Sequence, residues 1–290
     1  MFRDLEDYNR GFNSFAVALY KSNTVGLVES FMSTHMHIIV QTDSPKDFMS
    51  CWRMYYTMYF NRKYKHSGKL GENQHFTMDL VGYHHVLAAM SYVLRNALHH
   101  GVAPIPYAYP HCSANAIFMR EMGKRPEENL LPRKSHYKHL GRTAEYPDHY
   151  RMNANGVFLR ESVLDIPQVE NLFVTPRMFN FYMSRKSSEE WEAEQKKDQN
   201  NSPLINIQSI EKGVNTESME KLLIFESGKA DYKRISDIEL CTNIDRNILQ
   251  KFGKTSVYEL SSKEKTQIAN HLYNTLHLNV AQIRRCLAIL

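Results

Sequence analysis

Residues 34–42 read THMHIIVQT, and the placement of this stretch decides the fold. Ile38, Ile39 and Val40 are β-branched, and the run VGLVESFM at residues 25–32 just before is also strand-like. The two runs meet at Ser33-Thr34, so the segment predicts a β-hairpin. Positions two apart in a strand share a face, so His35 and His37 present two imidazoles side by side. Two neutral imidazoles suit a divalent cation but need at least one further ligand. With 14 histidines in 290 residues, chance alone supplies about one such pair. On the residues alone, a metal site, two polar side chains on a solvated hairpin face, and chance all stay open.

Working outward, Leu5, Tyr8, Phe12, Phe15 and Leu19 recur at helical spacing, and Asp4 can cap them, so residues 5–22 predict a helix. Asp43-Ser44-Pro45 opens a second helix, rich in methionine and aromatics, that runs to about Lys65. HFTMDL at 75–80 predicts a short strand, and residues 82–100 predict a helix closed by Gly101 with Pro104 beyond it. The order α-β-β-α-β-α implies an α+β fold, an antiparallel sheet with helices on one face. Beyond Pro104 the chain is loop-rich to about residue 165, and residues 186–203 predict a solvated helix or linker. From about Tyr232 the pattern is helical, ending in helix, short turn and a second helix that starts near Asn279. These shifts mark out residues 1–122, 123–230 and 231–290 as three regions.

Composition bounds the chemistry. Hydrophobic residues make up 42%, enough for a packed core. A net charge of +5 and a pI near 8.8 are compatible with a nucleic-acid partner. The four cysteines are scattered without a C-x-x-C, which argues against a disulfide framework or thiolate zinc site and suits a reducing cytoplasm. The N-terminal residues lack an apolar signal core, and no window is apolar enough to span a membrane.

On the 82–100 helix, Tyr92 shares a face with Arg95 and Asn96, three and four residues on. That face offers a phenol nucleophile, an oxygen ligand and a cation, the set a covalent phosphotyrosine step needs. By spacing alone a core tyrosine accounts for Tyr92 better. Tyr55, Tyr56, Tyr59, Tyr64 and Tyr83 compete for the nucleophile role, the first four as core or base-stacking residues. Histidines 84, 85, 99 and 100 flank the tyrosine, as solvated helix-end residues or as a proton-transfer partner. The run from Asn61 holds Arg62, Lys63 and Lys65, which fit a single-strand groove or an ordinary basic loop equally. The C-terminal helices fit a helix-turn-helix with Gln282, Arg284 and Arg285 toward duplex DNA, or a plain helical bundle.

Taken in order, STHMHIIV, the upstream DYNRGFNSFAVAL, SYVLRNALHHGV and YPHCSANAIF resemble the HUH single-tyrosine transposases of the insertion-sequence 200 type, closest to the REP-associated branch. The resemblance covers roughly residues 3–118. It implies a ferredoxin-like βαββαβ sheet, His35 and His37 as ligands of Mg²⁺ or Mn²⁺, Asn96 as the third ligand and Tyr92 as the nucleophile. It implies cleavage and rejoining of single-stranded or hairpin DNA through a 5′-phosphotyrosine. On the residues themselves, Arg62, Lys63, Lys65 and Arg95 would face such a strand, and Arg284 and Arg285 a duplex. Three features depart from the family: Ser33-Thr34 replaces Pro-Asn, Asn96-Ala97 replaces Asn-Pro, and only Met1–Asp4 stand where a first strand belongs. The expectation is an N-terminally short chain whose histidine strand has one open edge. The second functional expectation is a catalytically inactive relative that still binds nucleic acid.

Overall fold

The computed structural model describes residues 1–70, 75–141, 144–184, 188–198, 203–206, 210, 223–224, 230–231, 237–275, 278 and 280–289. The chain groups into two compact units, one of residues 1–99 and 104–214, the other of residues 100–103 and 215–290.

The first unit opens with α1 (Leu5–Lys21), capped where the Asp4 carboxylate accepts from the Asp7 amide at 3.0 Å. Strands β1 (Val25–Phe31) and β2 (Met36–Gln41) pair antiparallel, with Ser30 opposite His37 and Phe31 opposite Met36. The hairpin forms where the sequence places it. Helix α2 (Pro45–Tyr64) starts with proline in its first turn. Helix α3 (Tyr83–Leu94) is followed after Arg95 by a single turn, α4 (Asn96–His99). Four shorter helices follow: α5 (Arg160–Val163), α6 (Ile166–Phe173), α7 (Pro176–Ser184) and α8 (Ser188–Gln195).

Helices cover both faces of the hairpin, which corrects the expectation of one. Phe31 packs on Phe15 of α1 and Trp52 of α2, with ring centroids 5.9 and 6.0 Å apart. His37 pairs with the neighbouring residue Ser30, so it projects from the opposite face, where it meets Tyr92 of α3. The burial of β1 agrees, since every residue after Val25 is buried. A strand buried on both sides needs a layer on each.

The strand expected at 75–80 is also corrected: those residues are in no strand. The described sheet of this unit therefore has two strands. The outer edge of β1 is covered by loops. The Phe31 amide donates to the His111 carbonyl at 2.9 Å, Ser30 bridges Cys112, and the Asp165 amide donates to the Gly26 carbonyl at 2.9 Å. Among the described residues no strand pairs with the other edge of β2. An aromatic core joins the N-terminal residues to this frame. Phe2 is fully buried and stacks on Tyr8 and Phe31, and a Cβ at Gly11 would lie 2.5 Å from its ring. Glycine at 11 is what lets Phe2 in.

Residue 122 is not a boundary of this unit. The Asn13 amide donates to the Gly156 carbonyl at 2.7 Å, its oxygen accepts from the Phe158 amide, and Arg160 pairs with the buried Glu29 at 2.5 Å. The segment expected to be solvated packs as well. Trp191 and Gln195 of α8 are buried, and the Asp198 carboxylate accepts from the His84 and His85 amides at the start of α3.

The second unit is helical at Asp237–Asn243, Ser262–Thr275 and Val280–Cys286. Its core includes Leu240, Ile244, Leu249, Ile268, Leu272 and Leu287. The expected helix start at Asn279 lies outside the described residues.

Candidate active site

The hairpin and α3 bring the two halves of the motif together. Thr34 Oγ1 lies 3.1 Å from His35 Nδ1, a contact of the kind that orients a ligand imidazole and leaves its Nε2 for another partner. The His35 and His37 rings stand edge-on, with centroids 5.0 Å apart. His37 meets the Tyr92 ring at 5.5 Å, also edge-on. His99 also stacks on Tyr92, at 5.2 Å and 21°. Residues far apart in sequence thus form one row: His35, His37, Tyr92, His99.

The helical ladder carries through Arg95, whose amide donates to the Ser91 carbonyl at 3.1 Å, while the His99 amide donates to the Arg95 carbonyl at 3.0 Å. Arg95 nevertheless closes α3 with φ −95° and ψ 3°, so Tyr92 lies on α3 while Asn96 and His99 lie on the separate turn α4, and the stacked rings bring Tyr92 and His99 together. Asn96 is fully buried, and both polar atoms of its amide lack a hydrogen-bond partner among the described residues. An unsatisfied buried amide costs about 1–3 kcal/mol, so its retention needs a reason. A ligand atom reaching the amide oxygen would supply one. Among the described residues no group of three His, Cys, Asp or Glu side chains is placed to hold a metal. Two imidazoles and one amide oxygen are the donor set that the residues offer; the imidazoles suit a borderline divalent metal and the amide oxygen a harder one.

Tyr92 is 3% exposed, so a substrate phosphate reaches its hydroxyl only if a covering group moves. His99 is exposed and is the ring lying over it. The competing tyrosines are engaged elsewhere. The Tyr59 and Tyr64 hydroxyls donate to Asp7 at 2.9 and 2.8 Å, and burial together with that carboxylate holds both phenols protonated well above the ordinary range. Tyr56 is raised further, chiefly by burial, and donates to the Met1 carbonyl. Tyr83 donates to the Leu172 carbonyl.

Three of the basic residues expected on nucleic acid have partners within the fold. Lys63 lies 2.7 Å from Asp4, 3.1 Å from Glu6 and 2.9 Å from Asp7, so its charge is matched within the fold. Burial pulls its pKa down, but the bonds to Asp4, Tyr59, Asp7 and Glu6 raise it overall. Arg95 is buried, with its guanidinium 5.2 Å from the centroid of the Trp191 ring. Arg285 is held by Asp237 at 3.0 Å. Arg62, Lys65 and Arg284 are exposed.

Thr34 is the participant that sequence reasoning missed, having been read only as part of the turn. The signal was its hydroxyl directly before the first histidine. Comparison with protein-family models, with curated proteins and with solved structures finds no match to this chain. Among the described residues no helix is long and apolar enough to cross a membrane.

Proposed function

We propose that this chain is a metal-dependent DNA transesterase of the HUH single-tyrosine type, which cleaves and rejoins single-stranded, hairpin-linked DNA. The observation that carries the reading is the contact of Tyr92 with His37, beside His35. Neither spacing nor composition required those residues to meet. His35, His37 and the Asn96 amide oxygen would hold Mg²⁺ or Mn²⁺, which when bound polarises the scissile phosphate.

Thr34 orients His35. The Tyr92 oxygen attacks phosphorus and its proton passes to the neighbouring His99 ring or to solvent. The bond from phosphorus to the 3′ oxygen breaks, and that oxygen leaves with a proton. The product is a 5′-phosphotyrosine and a free 3′-OH. The same or another 3′-OH reverses the step, so no energy source is consumed. His99 swings aside to admit the strand, which its exposure permits.

The order α1, β1, β2, α2 supports the αββα part of the ferredoxin-like arrangement, whose first and last strands have no counterpart among the described residues. The second edge of β2, together with the burial of Tyr92, favours the second reading, a catalytically inactive nucleic-acid-binding relative. Helices Ser262–Thr275 and Val280–Cys286, separated in sequence by residues 276–279, have helix-turn-helix spacing for duplex DNA, with Arg284 exposed.

The test is labelled single-stranded hairpin DNA with Mn²⁺. A covalent adduct that disappears in Tyr92→Phe supports transesterase chemistry. Bound DNA without an adduct refutes it in favour of the silent relative. Cleavage that survives Tyr92→Phe refutes covalent catalysis and leaves a metal-dependent phosphoesterase.

A further inference from the structure

On the hairpin face away from Tyr92, α1, α2 and the residues His139, Leu140, Gly141 and Ala144 line an open cleft of about 400 Å³. That volume is within the range of small-molecule sites, about 300–1,000 Å³. One wall is apolar. Met54 and Met58 stand one turn apart on α2, 51% and 59% exposed, beside the Tyr59 ring. Two exposed methionines in a concave wall suit a flat, polarisable guest.

The rim is cationic. Arg10 is hydrogen-bonded only to a neutral group among the described residues, the Lys138 carbonyl at 3.2 Å, and lies 5.4 Å from the Tyr59 ring centroid. Arg62 is exposed at the same rim, and His139 closes the far side. The carboxylate in the cleft, Glu6, is shared with Lys63 at 3.1 Å, and Lys63 is matched again by Asp4 and Asp7. Two guanidiniums and an imidazole thus face one space, against one lining carboxylate, Glu6, that is shared with Lys63. The titration behaviour agrees. Burial lowers the Arg10 pKa, Glu6 and then Tyr59 raise it, and Arg62 lowers it by the least. Burial and then Arg10 lower that of His139. An anion between the two guanidiniums would relieve that repulsion through forked, charge-assisted hydrogen bonds.

We propose that this cleft binds one nucleoside monophosphate unit, its phosphate between Arg10 and Arg62 and its base against Met54, Met58 and Tyr59. The unit is either a free nucleotide or one residue of a single strand. The inference goes beyond the Tyr92 reading, because it lies on the other face and involves no bond cleavage.

The test is calorimetric titration of the full chain with dAMP, deoxyadenosine, inorganic phosphate and a single-stranded DNA octamer. Binding of dAMP tighter than about 1 mM is expected, with at least tenfold weaker binding of deoxyadenosine. Arg62→Ala weakens dAMP about tenfold, the loss of one charge-assisted pair. Met58→Glu, at an exposed position, also weakens it, while Tyr92→Phe leaves it unchanged. An octamer that competes with dAMP and binds tenfold tighter identifies a strand as the source, and an octamer no tighter than dAMP identifies a free nucleotide. The proposal is overturned by absence of dAMP binding at about 1 mM, by Arg62→Ala and Met58→Glu proteins that bind dAMP like the wild type, or by phosphate binding as tightly as dAMP. A chain that forms no DNA adduct yet loses dAMP affinity with Arg62→Ala rejects the transesterase and keeps this site.

Discussion

Replacing Lys63 by methionine separates a structural lysine from a phosphate ligand. The side chain keeps its length and loses its charge. Lys63 is 21% exposed and contacts three carboxylates, of which Asp4 and Glu6 are 47% and 59% exposed while Asp7 is fully buried. Exposed pairs contribute about 0–1 kcal/mol each, so Asp7 dominates the loss. Breaking a fully buried pair costs about 3–5 kcal/mol. Asp7 would keep three donors, the Tyr59 and Tyr64 hydroxyls and the Arg3 amide at 2.7 Å, which reduces the loss to about 2.5 kcal/mol. For a unit of this size, that lowers Tm by about 5–10 °C. The pKa of Asp4 is lowered: burial pushes it up, and the hydrogen bond from Lys63 leads the contacts that bring it down. A depressed carboxyl stabilises above its unfolded value, 3.8, and loses that contribution as pH falls through its folded value. The raised pKa of Lys63 acts at the alkaline end, where its contribution is lost only above the ordinary lysine value of 10.5. The difference between wild type and Lys63→Met is therefore flat near neutrality and shrinks below about pH 4. Urea and thermal unfolding of both proteins across pH measure it, alongside the salt dependence of DNA binding, whose slope stays unchanged. A variant within about 0.5 kcal/mol of wild type whose salt slope falls by about one would refute the reasoning and return Lys63 to the nucleic acid.

Asn96→Ala removes an unpartnered buried amide, so the metal-free protein keeps its stability or gains up to about 1 kcal/mol, while the Tm rise on adding Mn²⁺ falls. A metal-free loss above about 2 kcal/mol in urea unfolding would instead make Asn96 a structural residue. Phe2→Ala empties a fully buried site among Tyr8, Phe31 and Tyr56 and is expected to cost about 3–5 kcal/mol by denaturant unfolding; a loss under about 1 kcal/mol contradicts that packing. His111 is stacked 3.9 Å from Tyr8, and its pKa is well below 6.5, first through burial and then through Arg160. Its neutral form stabilises fully above the unfolded value, so wild type loses up to about 1.4 kcal/mol per pH unit as pH falls below 6.5, whereas His111→Phe loses correspondingly less. Parallel unfolding curves for the two proteins between pH 6.5 and 5 would show that His111 titrates normally.

Much of the frame was legible because its signals are local. Asp4 capping α1, Pro45 opening α2, and β-branched runs on either side of Ser33-Thr34 depend on near neighbours, and each element formed where its residues indicated. Spacing aligned Tyr92 with Asn96 on the assumption of one continuous helix, whereas α3 ends at Leu94 and Asn96 starts a separate turn. The run VGLVESF carried a further sign that went unread: a strand without polar alternation has to be covered on both sides.

What the sequence by itself determined is thus the succession of helices and the hairpin, together with a histidine pair and a tyrosine whose chemistry is compatible. Tertiary structure decided their company. It set Tyr92 against His37, Arg95 against Trp191, and Lys63 against carboxylates at positions 4, 6 and 7. It also denied residues 75–80 a strand. The physical reason is that helix and turn preferences act over a few residues, whereas ion pairing, stacking and sheet pairing depend on which distant segments burial brings together. A lysine in a basic run reads the same whether it faces phosphate or Asp7, and only the folded chain distinguishes them.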